Sequence, residues 1–504
     1  MLITSKNRFL NIPINPKAPI QKLRFYENSK LLIDFDVQLD FKTPQYVYFY
    51  DMYSFIGKDI EIYDENMFKP EFSENKSFSP DEPLRPKLHF TAEFGLINDP
   101  NGLVFYEGKY HLFFQHNPFG NILANMHWGH AVSENLLSWE QLPDALVPDN
   151  MGDMWSGSAI VDKQNLLGLN TNEHEALLLF YTASGGNREA NAQEPFTQCM
   201  AISTDGGYTF TKYQKNPIVP FIKGKNRDPK VVYDDDNSMY VMVLYVDDGE
   251  YALFRSSTLV DWELIQFFTP VATIECPDLF VCYDGDVKKW VFAGGDSGYL
   301  VGDFDINKGL VNIVNHSKYA FGRIYAGQSW SNVSDRILRI DVQKTRELPT
   351  EYFNSFLTLP YEVYLKDNTL RVQLAKELKN SVTPYLNCSN LSVDKFNIEL
   401  PDYSLQIKLT LSALADVTVI SLFETDITVN SVTNEISFGD VIMPCCIENK
   451  RTELAIITDR ICWEVFSSDR YVGGTGIVTT DKEKRLNIKG KANIEKLEIG
   501  IILN

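Results

Sequence analysis

Three times along the chain, an acidic residue beside a proline opens a pair of apolar strands. Asp99-Pro100 runs into GLVFYEGKYHLFF and Asp228-Pro229 into KVVYDDDNSMYVMV. Glu275 precedes Cys276-Pro277-Asp278, which runs into LFVCYDGDVKKWVFAG. Each unit is an aromatic and β-branched strand, an acidic or glycine turn, and a second strand. A further element recurs: SENLLSWE at 133–140 matches SSTLVDWE at 256–263, and a looser copy runs from Ser203 to Phe210. Two more units start at Trp155-Ser156-Gly157-Ser158 and at Tyr325-Ala326-Gly327-Gln328. Five units of this length predict an all-β chain built on a five-bladed β-propeller.

The strand starts of a propeller face one central channel, so Asp99, Asp228 and Glu275 are expected to meet in a single funnel. One Asp-Pro pair is an ordinary turn or strand cap. Three acidic residues in register at unit starts point to chemistry. Hydrolysis of a glycosidic bond needs two carboxylates, one as acid and one as nucleophile or base, and a retaining enzyme holds them about 5–5.5 Å apart. A neighbouring proline fixes the backbone and helps hold the side chain. Arg227, beside Asp228, is expected to keep that carboxylate ionised.

Outside the repeats the character changes. Residues 1–63 read as a small N-terminal β module, and 64–87 as a charged, proline-bearing linker. The propeller is assigned to 88–362. From 363 to 504, segments such as SLQIKLTL and VTVISLF alternate apolar and polar residues without the repeat, which suits a C-terminal β-sandwich.

Composition excludes several partners. With 47 Lys and Arg against 67 Asp and Glu, the net charge is −20, unsuited to nucleic acid or an anionic membrane surface. No apolar run is long enough to span a bilayer. The first residues hold no apolar core of a signal peptide, so the chain is expected to be cytoplasmic, or secreted or periplasmic if a leader has been removed. Seven scattered cysteines form no disulfide framework and are expected to be buried thiols. His127 and His130 lack a third ligand at metal spacing, so neither metal nor cofactor is expected.

The motifs, taken in order, carry a resemblance. LHFTAEFGLINDPNGLVFYEGKYHLFFQHNP, MHWGHAVSENLLSWEQLPDAL, MWSGSAIVD, RDPKVVY and ECPDLF resemble glycoside hydrolase family 32, the family of invertases, inulinases and levanases. The resemblance covers roughly 85–365, and ELAIITDRICWEVF extends it weakly into the tail. RFLNIPIN through YVYFYDMYSFIGKDIEIY is similar to a β module found ahead of some bacterial members. The resemblance implies a propeller followed by a sandwich, and a retaining exo-acting β-fructosidase working on sucrose or fructans. Asp99 would be the nucleophile, Glu275 the acid/base with a raised pKa, and Asp228 the stabiliser of the transition state. Asn98 and Gln115 would bind the terminal fructosyl unit, and Ser156 and Arg227 its hydroxyls. Trp128 and Trp155 would form apolar walls, and Tyr325 would support Glu275. In an arbitrary β-protein both tryptophans would be core residues instead.

The sequence departs from the family pattern where Leu96, Leu123 and Val342 stand in place of aromatics, with Tyr352 or Phe353 as a substitute at the rim. Lost indoles imply an altered pocket wall. A fructosyltransferase using the same covalent intermediate, or a fructan-binding propeller with weakened catalysis, therefore stay open, as do linkage preference and a homo-oligomeric state.

Overall fold

The computed structural model describes the chain except residues 1, 5–7, 65–68, 74–81, 272, 345–349, 351, 394–395, 403, 424, 440, 468–474, 478–483 and 504. In strand Phe9–Ile14, every second residue is apolar, which sends Leu10, Ile12 and Ile14 into a core while their neighbours stay half-buried. Each such side chain contributes about 1.5–3 kcal/mol through burial. Tyr46–Asp51 and Glu71–Ser73 flank this strand, and Lys30–Val37, Gln21–Glu27 and Glu61–Tyr63 form a second three-stranded sheet. The expected linker thus lends Glu71–Ser73 to the module; its residues 65–68 and 74–81 lie outside the described residues. Phe94 and Phe119, from beyond the module, complete its core, and the Phe35 and Phe119 rings lie 4.7 Å apart.

Five successive sheets follow. Their first strands are Gly95–Tyr106, Asp153–Val161, Arg227–Asp234, Asp278–Asp284 and Ile324–Ser329. These touch one another in chain order, and the fifth touches the first, so they line a closed channel. Phe353–Asn354 also pairs in parallel with Gly95 and Leu96, tying the end of the ring to its start. The fifth sheet takes Tyr361–Lys366 and Thr369–Leu374 as outer strands, which lie across and beyond position 362. Tyr361, Val363, Leu370 and Val372 share one core with Phe280 and Tyr299 of the fourth sheet and with Ile457, Phe466 and Ile502 of the C-terminal sheets.

Two six-stranded sheets form the C-terminal sandwich. Leu405, Ile407, Leu409 and Leu411 of Ser404–Ser412 point inward by the same two-residue period. All seven cysteines are free, and five are buried. Among the described residues, no helix is long and apolar enough to cross a membrane.

One buried cluster ties these layers together. Asp459 of the sandwich accepts hydrogen bonds from the backbone N–H groups of Lys87 (2.9 Å), Leu88 (2.7 Å) and His89 (3.0 Å), and from Ser404 Oγ (2.9 Å). His89 Nδ1 lies 2.9 Å from Asp459, and its Nε2 lies 3.4 Å from Glu464. Burial opposes the charge on His89, but the two carboxylates outweigh it and raise its pKa to about 9. Burial likewise opposes the charge on Asp459, but His89 and the backbone donors hold its carboxyl at about 2.

A group with a raised pKa contributes stability below its unfolded value and loses it as pH rises through the folded one. The His89 contribution is therefore complete below pH 6.5 and fades towards pH 9. The Asp459 contribution is complete above pH 3.8 and fades towards pH 2. Asp459→Asn should lower unfolding free energy by about 3 kcal/mol near pH 6, since it leaves the buried His89 cation with only the more distant Glu464. Denaturant unfolding from pH 5 to 9 checks this. The difference between wild type and variant should shrink as pH rises, and a constant difference would remove the ion pair as its source.

Candidate active site

The channel strands are irregular where the predicted residues sit. Pairing register shifts between Ile97 and Pro100, Trp155 and Gly157, Arg227 and Lys230, and Tyr325 and Gln328. Proline cannot donate to a ladder, so the two Asp-Pro pairs fall naturally in bulges, which re-aim the adjoining side chain. Gly157 is required by close approach, because a Cβ there would meet the Phe180 carbonyl oxygen at 1.9 Å.

Asp228 and Glu275 adopt left-handed backbone conformations, with φ of 63° and 56°. For non-glycine residues this costs of order 1–3 kcal/mol, and it persists only where the surroundings hold it. The Asp228 N–H donates to Thr182 Oγ1 at 2.9 Å, and the Glu275 carbonyl accepts from Tyr251 Oη at 3.2 Å.

These features bring the three carboxylates onto one cavity of about 380 Å³, with Asn98, Gln115, Trp155, Arg227 and Tyr325 also on its wall. Asp99 accepts from Ser156 Oγ at 2.6 Å and Asn98 Nδ2 at 2.9 Å. Gln115 joins the same network, donating to Ser156 Oγ at 2.7 Å and accepting from Asn98 Nδ2 at 3.1 Å. Glu275 accepts from Arg227 Nη2 (2.6 Å) and Nε (3.1 Å), and from Tyr325 Oη. The second acid of its motif, Asp278, instead pairs with Lys230 at 2.8 Å and with Arg339. A larger cavity, about 840 Å³, is lined by residues further along the same strands, including Lys230 and Tyr233, and by none of the three carboxylates.

Two electrostatic expectations are corrected. Arg227 bonds Glu275 and lies 3.7 Å from Asp228. Burial therefore outweighs Arg227 at Asp228, and Glu275 and Asp99 add to it, pushing that carboxyl up to about 8 rather than keeping it ionised. Burial also acts upward on Glu275, but hydrogen bonds from Tyr325 and Arg227 prevail and hold it below the usual carboxylate range, not above it. At Asp99, burial prevails over Lys344 and Ser156, and the pKa is raised.

Trp128 is not a cavity wall. It is fully buried against Phe113 and Tyr181, and its indole N–H donates to the Trp155 carbonyl at 2.9 Å, supporting the strand that presents Trp155. Leu96 and Val342 are core residues as well, and Phe353 packs with Phe356 and Ile461, so none of the three lines the cavity. Leu123 does line the cavity and is 56% exposed. His127 and His130 are core residues: His127 Nδ1 lies 2.6 Å from the Asn125 carbonyl, and His130 Nε2 lies 3.1 Å from His111 Nδ1.

Sequence reasoning missed Lys344, whose Nζ sits 3.8 Å from the Tyr325 ring centre, and the cavity residues Asp36, Asp153 and Arg188. Lys344 stands in no motif, Asp153 directly precedes the MWSGSAIVD motif on its channel strand, and Asp36 and Arg188 reach the cavity from outside the motifs.

The arrangement sets a buried carboxyl, a second carboxylate held by a cation, and a third carboxyl with a raised pKa around one pocket. The chain matches known proteins. The Glycosyl hydrolases family 32 N-terminal domain matches residues 89–375. A levanase of Bacillus subtilis is 38% identical over 327 residues, covering 59% of this chain and 47% of that one. An invertase of Schizosaccharomyces pombe is 34% identical over 315 residues, covering 56% and 53%. The match thus spans about half the length of these relatives. A fructofuranosidase variant from Schwanniomyces occidentalis, solved in complex with fructosylnystose, superposes with a TM-score of 0.75 at 24% identity, covering 85% of this chain and 100% of that one.

Proposed function

The chain belongs to glycoside hydrolase family 32, and from that premise we propose that it releases terminal fructose from sucrose or fructans by retaining double displacement. The observation that carries this reading is the convergence of Asp99, Asp228 and Glu275 on one cavity. Asp99 attacks the anomeric C2 of the terminal fructosyl unit, while Glu275 protonates the departing oxygen. A water deprotonated by Glu275 then attacks the same carbon and frees Asp99. Asp228 hydrogen-bonds the fructosyl hydroxyls as charge spreads through the ring. Asn98, Gln115 and Arg227 bind the terminal unit, Trp155 supplies an apolar face, and Ser156, buried behind the cavity wall, holds Asp99 and Gln115 in place. Like the sugar-bound relatives, the chain takes a carbohydrate as partner.

The protonation pattern assigns an order. Near neutral pH the proton rests on Asp228, while Glu275 is bound to Arg227. When Arg227 turns to the sugar hydroxyls, Glu275 loses its strongest cationic partner. The burial already acting on it then raises its pKa towards the value an acid needs, Glu275 takes up the proton that Asp228 releases, and Asp228 faces the sugar as a carboxylate.

Incubation with sucrose, a kestose trisaccharide, inulin and levan, with products resolved by chromatography, tests the reading. We expect fructose from at least one substrate. Longer oligomers from sucrose alone would replace hydrolysis by fructosyl transfer. Silence on all four from a folded chain would overturn the assignment and favour a sugar-binding propeller.

A further inference from the structure

We propose that the N-terminal module is part of the substrate site, with Asp36 binding the sugar unit on the leaving side of the scissile bond. This rests on the reading of the cavity as a fructosyl site. Asp36, on module strand Lys30–Val37, lines the same cavity as Asp99 and Glu275. It is fixed there by a two-way bond: its N–H donates to Asn125 Oδ1 at 2.9 Å, and its carbonyl accepts from Asn125 Nδ2 at 2.7 Å. Its carboxylate pairs with Lys22 at 2.9 Å yet stays 30% exposed.

The same strand also holds another part of the wall. Asp34 is fully buried and accepts from the backbone N–H of Ala190 at 2.9 Å and of Glu189 at 3.4 Å, while Arg24 pairs with Glu189 at 2.9 Å. That loop presents Asn187 and Arg188 to the cavity. Arg188 is 2% exposed at its side chain, pairs with Asp153 at 2.6 Å and donates from Nη2 to the Asp149 and Gly152 carbonyls at 2.7 and 2.9 Å, which fixes the loop and leaves Asn187 as its exposed residue. An exposed carboxylate on a cavity wall, beside an exposed amide side chain, suits a neutral polyol: the carboxylate accepts from vicinal hydroxyls, and the amide can accept or donate. Asn98, Gln115, Asp228 and Arg227 already account for the terminal unit. Asp36 and Asn187 are left for the next unit, either the glucosyl of sucrose or a second fructosyl of a fructan.

The test compares full-length wild type, Asp36→Asn and Lys22→Met on sucrose, kestose and a levan trisaccharide, with free fructose as a competing inhibitor. Asp36→Asn should raise KM for at least one substrate by about 10-fold, the loss of one hydrogen bond to a charged group. The loss should fall on KM more than on kcat, and fructose inhibition should shift less than about 2-fold, since fructose occupies the terminal position. The substrate whose KM moves most identifies the second unit. Lys22→Met keeps the carboxylate and should move KM far less. If Asp36→Asn unfolds early, Asn187→Ala on the propeller side must raise the same KM. Unmoved KM values in an active enzyme, or fructose inhibition weakening in step, overturn this inference alone. A wild type that releases no fructose overturns the functional reading and this inference with it.

Discussion

Asp99→Asn should reduce kcat on the best substrate by at least roughly 10⁴-fold while leaving the unfolding midpoint nearly unchanged. The substitution keeps the size of the side chain and its place between Ser156 and Asn98, which bond its two oxygens at 2.6 and 2.9 Å. What it removes is the oxygen that would bond to C2. An amide is a poor nucleophile, so nothing carries the fructosyl unit between the two half-reactions. Stability should change little, because burial already raises the Asp99 pKa and its charge is costly in the folded state. Calorimetric titration of the variant with kestose should still detect binding, since the polar groups around the terminal unit remain. Turnover within about 10-fold of wild type would remove Asp99 as nucleophile. Lost turnover with lost binding and lost stability would instead assign it a structural role.

Much of this site was legible because its residues sit at breaks in a repeat. The Asp-Pro pairs and SENLLSWE fall at equivalent points of successive units, and a proline inside a strand announces the bulge that aims its neighbour. Trp128 was not legible for the converse reason. Every residue of His127–Ser133 is buried, so the two-residue period that separates faces in the sandwich gives no face here. An indole beneath the wall and one on it then look alike. The electrostatics failed on a single torsional choice. Adjacency favours Arg227 with Asp228, but the guanidinium fork points to Glu275, and the two carboxyls exchange their expected shifts. Asp36 was hidden more deeply. KLLIDFDV reads as a half-buried strand with polar residues outward, and only packing of the module against Asn125 turns that outward face into a cavity wall.

Glu275→Gln should separate substrates by leaving group. On sucrose, kcat/KM should fall by roughly 10²–10⁴-fold, the usual worth of a general acid. On an aryl fructoside whose phenol departs without a proton, kcat/KM should fall less than about 10-fold, because that ratio reports the first, bond-breaking step. Later turnover on the aryl substrate should slow, since water has lost its base, and added azide should restore it as a nucleophile that needs no deprotonation.

The pH profile gives a second, independent readout. Wild-type kcat/KM needs Asp99 ionised and one proton in the site, and in the free protein Asp228 holds that proton with a pKa of about 8. Activity on sucrose should therefore fall as pH rises through about 8, as a property of the coupled carboxyls rather than of one residue. On the aryl substrate Glu275→Gln has no acid step to lose, so this alkaline decline should flatten. Equal losses on both substrates, or an alkaline limb that persists unchanged on the aryl fructoside, would count against Glu275 as the acid. They would move the search for the proton donor to Asp228, the carboxyl that already carries it.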